Sequence, residues 1–145
     1  MSRFVEVDIG NSGDMIGRLR SVVLDTKNPH GLAEFYANML GGQVKVIDSD
    51  WVVVMTPDGT RLAFQRSPEH QPPRFPDPMG SQQFHLDIHV DDIAAAEREV
   101  LALGAVRIPD VGNEGPDDPF RVFRDPAGHT FCFTWDSPKD DGQMD

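Results

Sequence analysis

The chain says the same thing twice, and that constrains its fold more than any other feature. Ser21-Val22-Val23-Leu24 is answered by His85-Leu86-Asp87-Ile88, 64 residues on. Leu40-Gly41 is answered by Leu103-Gly104 after 63 residues, and Pro57-Asp58-Gly59 by Pro126-Ala127-Gly128 after 69. Self-similarity at a fixed period signals a repeated supersecondary unit. Each copy reads strand, helix, strand, strand, strand.

The elements of the first copy follow from local chemistry. Leu19 to Thr26 alternates as a strand. Asn28-Pro29 opens a helix, because Asn caps it and Pro at the first position loses no needed hydrogen bond. Leu32, Phe35, Tyr36, Met39 and Leu40 recur at helical spacing, and Gly41-Gly42 ends the run. Val44 to Ile47, Trp51 to Met55 and Arg61 to Gln65 read as strands around the turns Asp48-Ser49-Asp50 and Pro57-Asp58-Gly59. Phe4, Val5, Val7 and Ile9 suggest at most a short edge strand in an N-terminal extension, residues 1–18.

The second copy opens on Phe84-His85-Leu86-Asp87-Ile88-His89-Val90-Asp91-Asp92. Leu86, Ile88 and Val90 share one face; His85, Asp87 and His89 share the other. The Asp pair stops the strand and caps a helix through Ile93, Ala96, Val100 and Leu103, ended by Gly104. Val106 to Ile108, Phe120 to Arg124 and Thr130 to Trp135 are the remaining strands. Pro68, Pro72, Pro73, Pro76 and Pro78 separate the copies. That density forbids a helix or central strand, so residues 67–81 are expected to form a stiff flap over the site. The organisation is then an extension at 1–18, a domain at 19–135 and an acidic, disordered tail at 136–145. Within the domain, module one spans 19–66 and module two 82–135.

Charge narrows the function classes. Lys and Arg number 13 against 24 Asp and Glu, a formal charge of −11. Such a chain repels nucleic acid and anionic membranes, so neither is an expected partner. Cys132 is the only cysteine, which excludes an intrachain disulfide and fits a reducing compartment. With no leader and no apolar span, the expected location is the cytoplasm.

The paired units, together with His85-Leu86-Asp87, Ala102-Leu103-Gly104 and Asp125-Pro126-Ala127-Gly128-His129, resemble the vicinal oxygen chelate superfamily over residues 19–135. That group holds glyoxalase, extradiol dioxygenases and the fosfomycin- and bleomycin-resistance proteins. Leu62-Ala63-Phe64-Gln65-Arg66 and Phe131-Cys132-Phe133 look like its glyoxalase-like domain subgroup. The resemblance implies an α+β fold: tandem βαβββ modules forming a cup-shaped partial barrel with helices outside. It also implies a homodimer.

Metal-binding members hold their ion with four side chains, which fall here on Ser21, Ala63, His85 and Cys132. Only His85 keeps the family's residue type. Ala63 offers no donor atom and Ser21 a poor one, so no resident metal or other cofactor is expected. His85 and Cys132 are the weak candidates left for a soft ion.

Alternation assigns Ser21, Val23, Asp25, Arg61, Ala63, Gln65, His85, Asp87, His89, Thr130, Cys132 and Thr134 to the inner face. A surface so polar is costly to bury unless a ligand or an internal network satisfies it. His85 and Asp87, two residues apart on one face, form the expected proton-transfer pair. Ser21, Asp25, Arg61, Gln65, His89, Arg121, Cys132 and Thr134 are the expected ligand-binding residues, with Arg61 or Arg121 placed to grip an anionic group. Two functions stay open. One is a metal-independent lyase or isomerase acting on a small polar metabolite. The other is sequestration of a small molecule without catalysis, as in bleomycin resistance. A metal-dependent dioxygenase or lyase fits the residues less well.

Overall fold

The computed structural model describes residues 15–109, 111 and 119–136. The expected N-terminal edge strand, most of the 109–119 loop and the tail beyond residue 136 lie outside those residues. The element order is β1 (Val22–Thr26), α1 (Pro29–Leu40), β2 (Gln43–Asp48), β3 (Trp51–Met55), β4 (Arg61–Arg66), β5 (Leu86–His89), α2 (Ile93–Ala102), β6 (Val106–Ile108), β7 (Phe120–Arg124) and β8 (Thr130–Thr134).

Both modules have one topology. The sheets run β1-β4-β3-β2 and β5-β8-β7-β6. The first strand of each lies parallel to the last, while the other neighbours are antiparallel. A parallel pair needs a crossover connection, and α1 and α2 begin those crossovers. These are two open mixed sheets in an α+β fold and not a closed barrel.

The helix caps follow the sequence. Asn28 Oδ1 accepts from the Gly31 N–H at 3.0 Å, and Pro29 takes the first position. Asp92 caps α2 the same way through Ala95 N–H at 3.1 Å. Gly41 leaves α1 at a φ of 87°, a conformation that favours glycine. The strands that open the modules are shorter than alternation suggests. β1 starts at Val22 and not Leu19, and β5 at Leu86 and not Phe84. The parallel ladders begin at Val22 with Leu62 and at Leu86 with Phe131, and the residues before them stand outside the ladders.

One core spans both modules. Phe35 and Tyr36 of α1 meet Phe131 of β8 with ring centroids 6.0 and 6.4 Å apart. Phe123 stacks on Phe131 at 5.4 Å, and Tyr36 stacks on Phe64 of β4 at 5.7 Å. These rings are buried, and truncating such a side chain costs about 3–5 kcal/mol. The first module's helix is therefore packed on the second module's sheet. That contact fixes how the opening strands approach one another.

A smaller cluster lies on the other face of module two. Ile108, Val122 and Cys132 are buried there, with Phe75, Val111 and Phe120 against them. Phe75 belongs to the proline-rich segment, so that segment is docked onto the sheet. Arg124 Nη2 donates to the Phe75 carbonyl, and His70 Nε2–H reaches the Ala127 carbonyl at 3.0 Å.

Candidate functional site

A crevice of about 820 Å³ lies between the opening strands of the two modules. Val22, Val23 and Asp25 of β1 form one side, and His85 with Leu86 forms another. Residues 70–74 and 79–81 of the proline-rich segment also line it, with residues 82–84 that follow, and Tyr36, His129 and Thr130 complete its wall. The crevice exists because β1 and β5 each sit at a sheet edge, and α1 brings those edges together.

Two polar atoms in this wall are conspicuous. Thr130 is 2% exposed, and its Oγ1 is buried without a hydrogen-bond partner. Gln82 Oε1 is buried and unpartnered too. Leaving such a group unsatisfied costs about 1–3 kcal/mol. Two histidines of the wall, His70 and His129, are packed together. His129 Nε2–H donates to the Asp25 carbonyl at 2.7 Å, and the His129 ring lies tilted on His70 with centroids 4.8 Å apart.

Beneath the wall lies a buried pair. Tyr36 donates to Asp125 Oδ2 at 2.6 Å, and Asp125 Oδ1 accepts from the Ala127 and His129 N–H groups at 2.8 and 3.0 Å. Burial pushes the Asp125 carboxyl above its ordinary range, and these hydrogen bonds with the nearby His129 charge offset only part of the rise. Burial, reinforced by the Asp125 charge, pushes the Tyr36 phenol well above its usual 10.0.

His85 stands where the crevice meets the exposed face of β5. Its Nε2 lies 3.3 Å from Asp87 Oδ1, with the two side chains 34% and 64% exposed. Cys132 faces Asp87 across the β5–β8 pair. Donor atoms of His85, Asp87 and Cys132 all lie within 4.8 Å of one another. Burial, then the Asp87 carboxylate, push the Cys132 thiol up to about 12. A thiol so disfavoured as a thiolate is a poor nucleophile.

The other expected residues go elsewhere. Asp25 joins the crevice. Arg61 Nη1 donates to Ser21 Oγ, and Arg61 lines a separate pocket on module one. His89 lies at the far end of β5, 3.6 Å from Asp91 and 4.0 Å from Asp136. Gln65 is exposed opposite Trp51, and Thr134 is half-buried opposite His89. Neither lines the crevice or the module-one pocket. Arg121 is on the opposite face of its sheet from Cys132: its strand partner is the core residue Phe133, and its Nη1 bonds Glu97 of α2 at 2.7 Å. Strand parity decides this, since Arg121 precedes the inner residue Val122. It cannot grip a ligand beside His85 from there.

The superfamily's metal can be tested against these residues. Arg61 occupies the hydroxyl of Ser21, and a guanidinium beside that place opposes a cation. Ala63 has no donor atom. The four-place site therefore does not fit this chain.

The sequence pattern does not single out Tyr36, His70, Gln82 or His129 as site residues. The one signal toward His70 and Gln82 is the proline-rich run, which contains His70 and ends beside Gln82.

Residues 21–134 match the family described as Glyoxalase-like domain. No curated protein matches the chain. Several solved structures share the fold. A possible glyoxalase from Bacillus cereus superposes with a TM-score of 0.60 at 15% identity, covering 83% of this chain and 99% of its own. The fosfomycin resistance protein FosX from Listeria monocytogenes, complexed with Mn(II) and sulfate, gives 0.65 at 15%, covering 87% and 95%. A glyoxylase/bleomycin resistance protein/dioxygenase domain from Frankia sp. EAN1pec gives 0.59 at 17%, covering 86% and 95%.

Proposed function

The chain belongs to the glyoxalase-like domain family of the vicinal oxygen chelate superfamily, and from that premise we propose that it binds a small polar metabolite in the crevice and moves a proton on it without a metal. The observation that carries the binding is the crevice itself, about 820 Å³, with the polar side chains of His85, Asp25 and Gln83 on its wall. A small ligand with hydroxyl or carbonyl groups can hydrogen-bond to them. Val22, Val23 and Leu86 supply apolar contact around these groups.

His85 is the base or acid. Asp87, 3.3 Å from its Nε2, holds the ring in one orientation and stabilises it once protonated. The other imidazole nitrogen then serves the substrate. Proton transfer at a carbon beside a carbonyl is the reaction class this pair can run, which makes the protein a lyase or isomerase. The Cys132 thiol, buried with Ile108 and Val122 and opposite Asp87 in the ladder, stays protonated.

The test uses hydroxyacetone and dihydroxyacetone as probes in heavy water, followed by proton NMR. Exchange of the C–H beside the carbonyl, lost when His85 and Asp87 are both replaced by Leu, is the expected result. Probes that bind without exchange would leave sequestration as the function. Exchange equal in both proteins would remove His85 from the chemistry.

A further inference from the structure

The pocket of about 600 Å³ on module one is separate from the crevice and carries charge of the opposite sign to the chain. The protein bears −11 overall, yet the charged side chains lining this pocket are Arg20, Lys45 and Arg61. Among the described residues, no carboxylate lines it. Among the described residues, no carboxylate is ion-paired with any of the three. In a chain with nearly two acids for each base, cations gathered together and left unneutralised are costly by mutual repulsion. They become favourable once an anion sits between them.

The sheet explains the geometry. Lys45 stands opposite Val53 and then Ala63, while Gln43 stands opposite Met55 and then Arg61. Lys45 and Arg61 are thus diagonal across β3, on one face of the sheet. Val53, between Lys45 and Ala63 in the ladder, lines the pocket. Ser21 Oγ accepts from Arg61 Nη1 and holds the guanidinium by one edge. The remaining N–H groups of the fork are left for an oxyanion, which the planar group engages in bidentate fashion. Around the charges, Ile47 and Met55 are about half exposed and make an apolar wall.

We propose that this pocket binds a small organic anion, with its phosphate or carboxylate head on Arg61, Lys45 and Arg20 and its aliphatic body on Ile47 and Met55. The site is independent of the His85 reading, since His85 does not line it.

Calorimetric titration of the full chain at low salt tests this, with butyl phosphate, pentanoate and inorganic phosphate as probes. One of the two organic anions should bind more tightly than inorganic phosphate, and which one does so identifies the head group. Arg61→Gln should weaken that binding by about tenfold or more, and raised salt should weaken it further. Lys45 is exposed, so Lys45→Gln folds and should weaken binding also, should Arg61→Gln disturb the sheet. Replacing His85 and Asp87 with Leu should leave the affinity unchanged. Absence of binding by both organic anions overturns the proposal, as does equal affinity in wild type and both pocket variants.

Discussion

Tyr36 and Asp125, 89 residues apart in the chain, are joined by a buried 2.6 Å hydrogen bond that ties the first module's helix to the second module's last turn. Each residue is almost fully buried, and Asp125 is further held by two backbone N–H groups of its own turn. The bond closes the floor of the crevice. Whatever binds there depends on the two modules keeping this separation.

Tyr36→Phe removes one partner and leaves a buried carboxyl short of a donor. The expected cost is about 2 kcal/mol in urea unfolding, with little change in the slope. A loss below about 0.5 kcal/mol would show that the pair does not hold the modules together.

The same pair sets a pH dependence. The folded Tyr36 binds its proton more tightly than the unfolded one, so its contribution is complete below the ordinary value of 10.0 and is lost as pH rises above it. Asp125 is also raised, by burial first, so its contribution is complete below the ordinary 3.8 and declines as pH rises through the folded value. Wild type should lose stability above pH 10, and Tyr36→Phe should lack that component. Parallel curves for the two proteins at alkaline pH would contradict this.

Cys132 should be inert in the native protein. With its thiol raised to about 12, the thiolate fraction near pH 8 is roughly one in ten thousand. Native protein should resist a disulfide reagent that labels the urea-unfolded chain completely. Stoichiometric native labelling would overturn the reading of Cys132 as a buried, protonated thiol.

Purified and dialysed protein should hold no stoichiometric divalent metal. Ala63 lacks a donor and Ser21 is engaged by Arg61, which leaves His85, Asp87 and Cys132 as three groups on one side. Elemental analysis giving one zinc, manganese or nickel per chain, lost in His85→Leu, would refute this.

Much of the fold is legible in the residues. Asn28-Pro29, Asp92 and the paired glycines punctuate the elements, and period-two alternation separates Leu86 and Ile88 from His85 and Asp87. The site is legible only in part. Alternation assigns a residue to a face, but two faces of different modules need not look into one space. Arg61 and His85 share an inner parity and line different pockets. What brings β1 and β5 together is the packing of α1 against Phe131, a contact nearly a hundred residues apart that no local pattern encodes. Arg121 shows the complementary limit. A residue's chemistry suggests a ligand-binding role, while its parity on β7 turns it toward Glu97.

On the proposed function, His85 and Asp87 serve a ligand and not the fold. Their side chains are 34% and 64% exposed, and an exposed pair of this kind contributes little to stability. The direct measurement is urea unfolding of wild type against the variant with Leu at both positions, with the second substitution present so that neither partner is left alone. The account predicts an unfolding free energy unchanged within about 0.5 kcal/mol, in a protein that no longer exchanges the carbon-bound proton. A loss of about 2 kcal/mol or more would contradict it, because the pair would then anchor the structure.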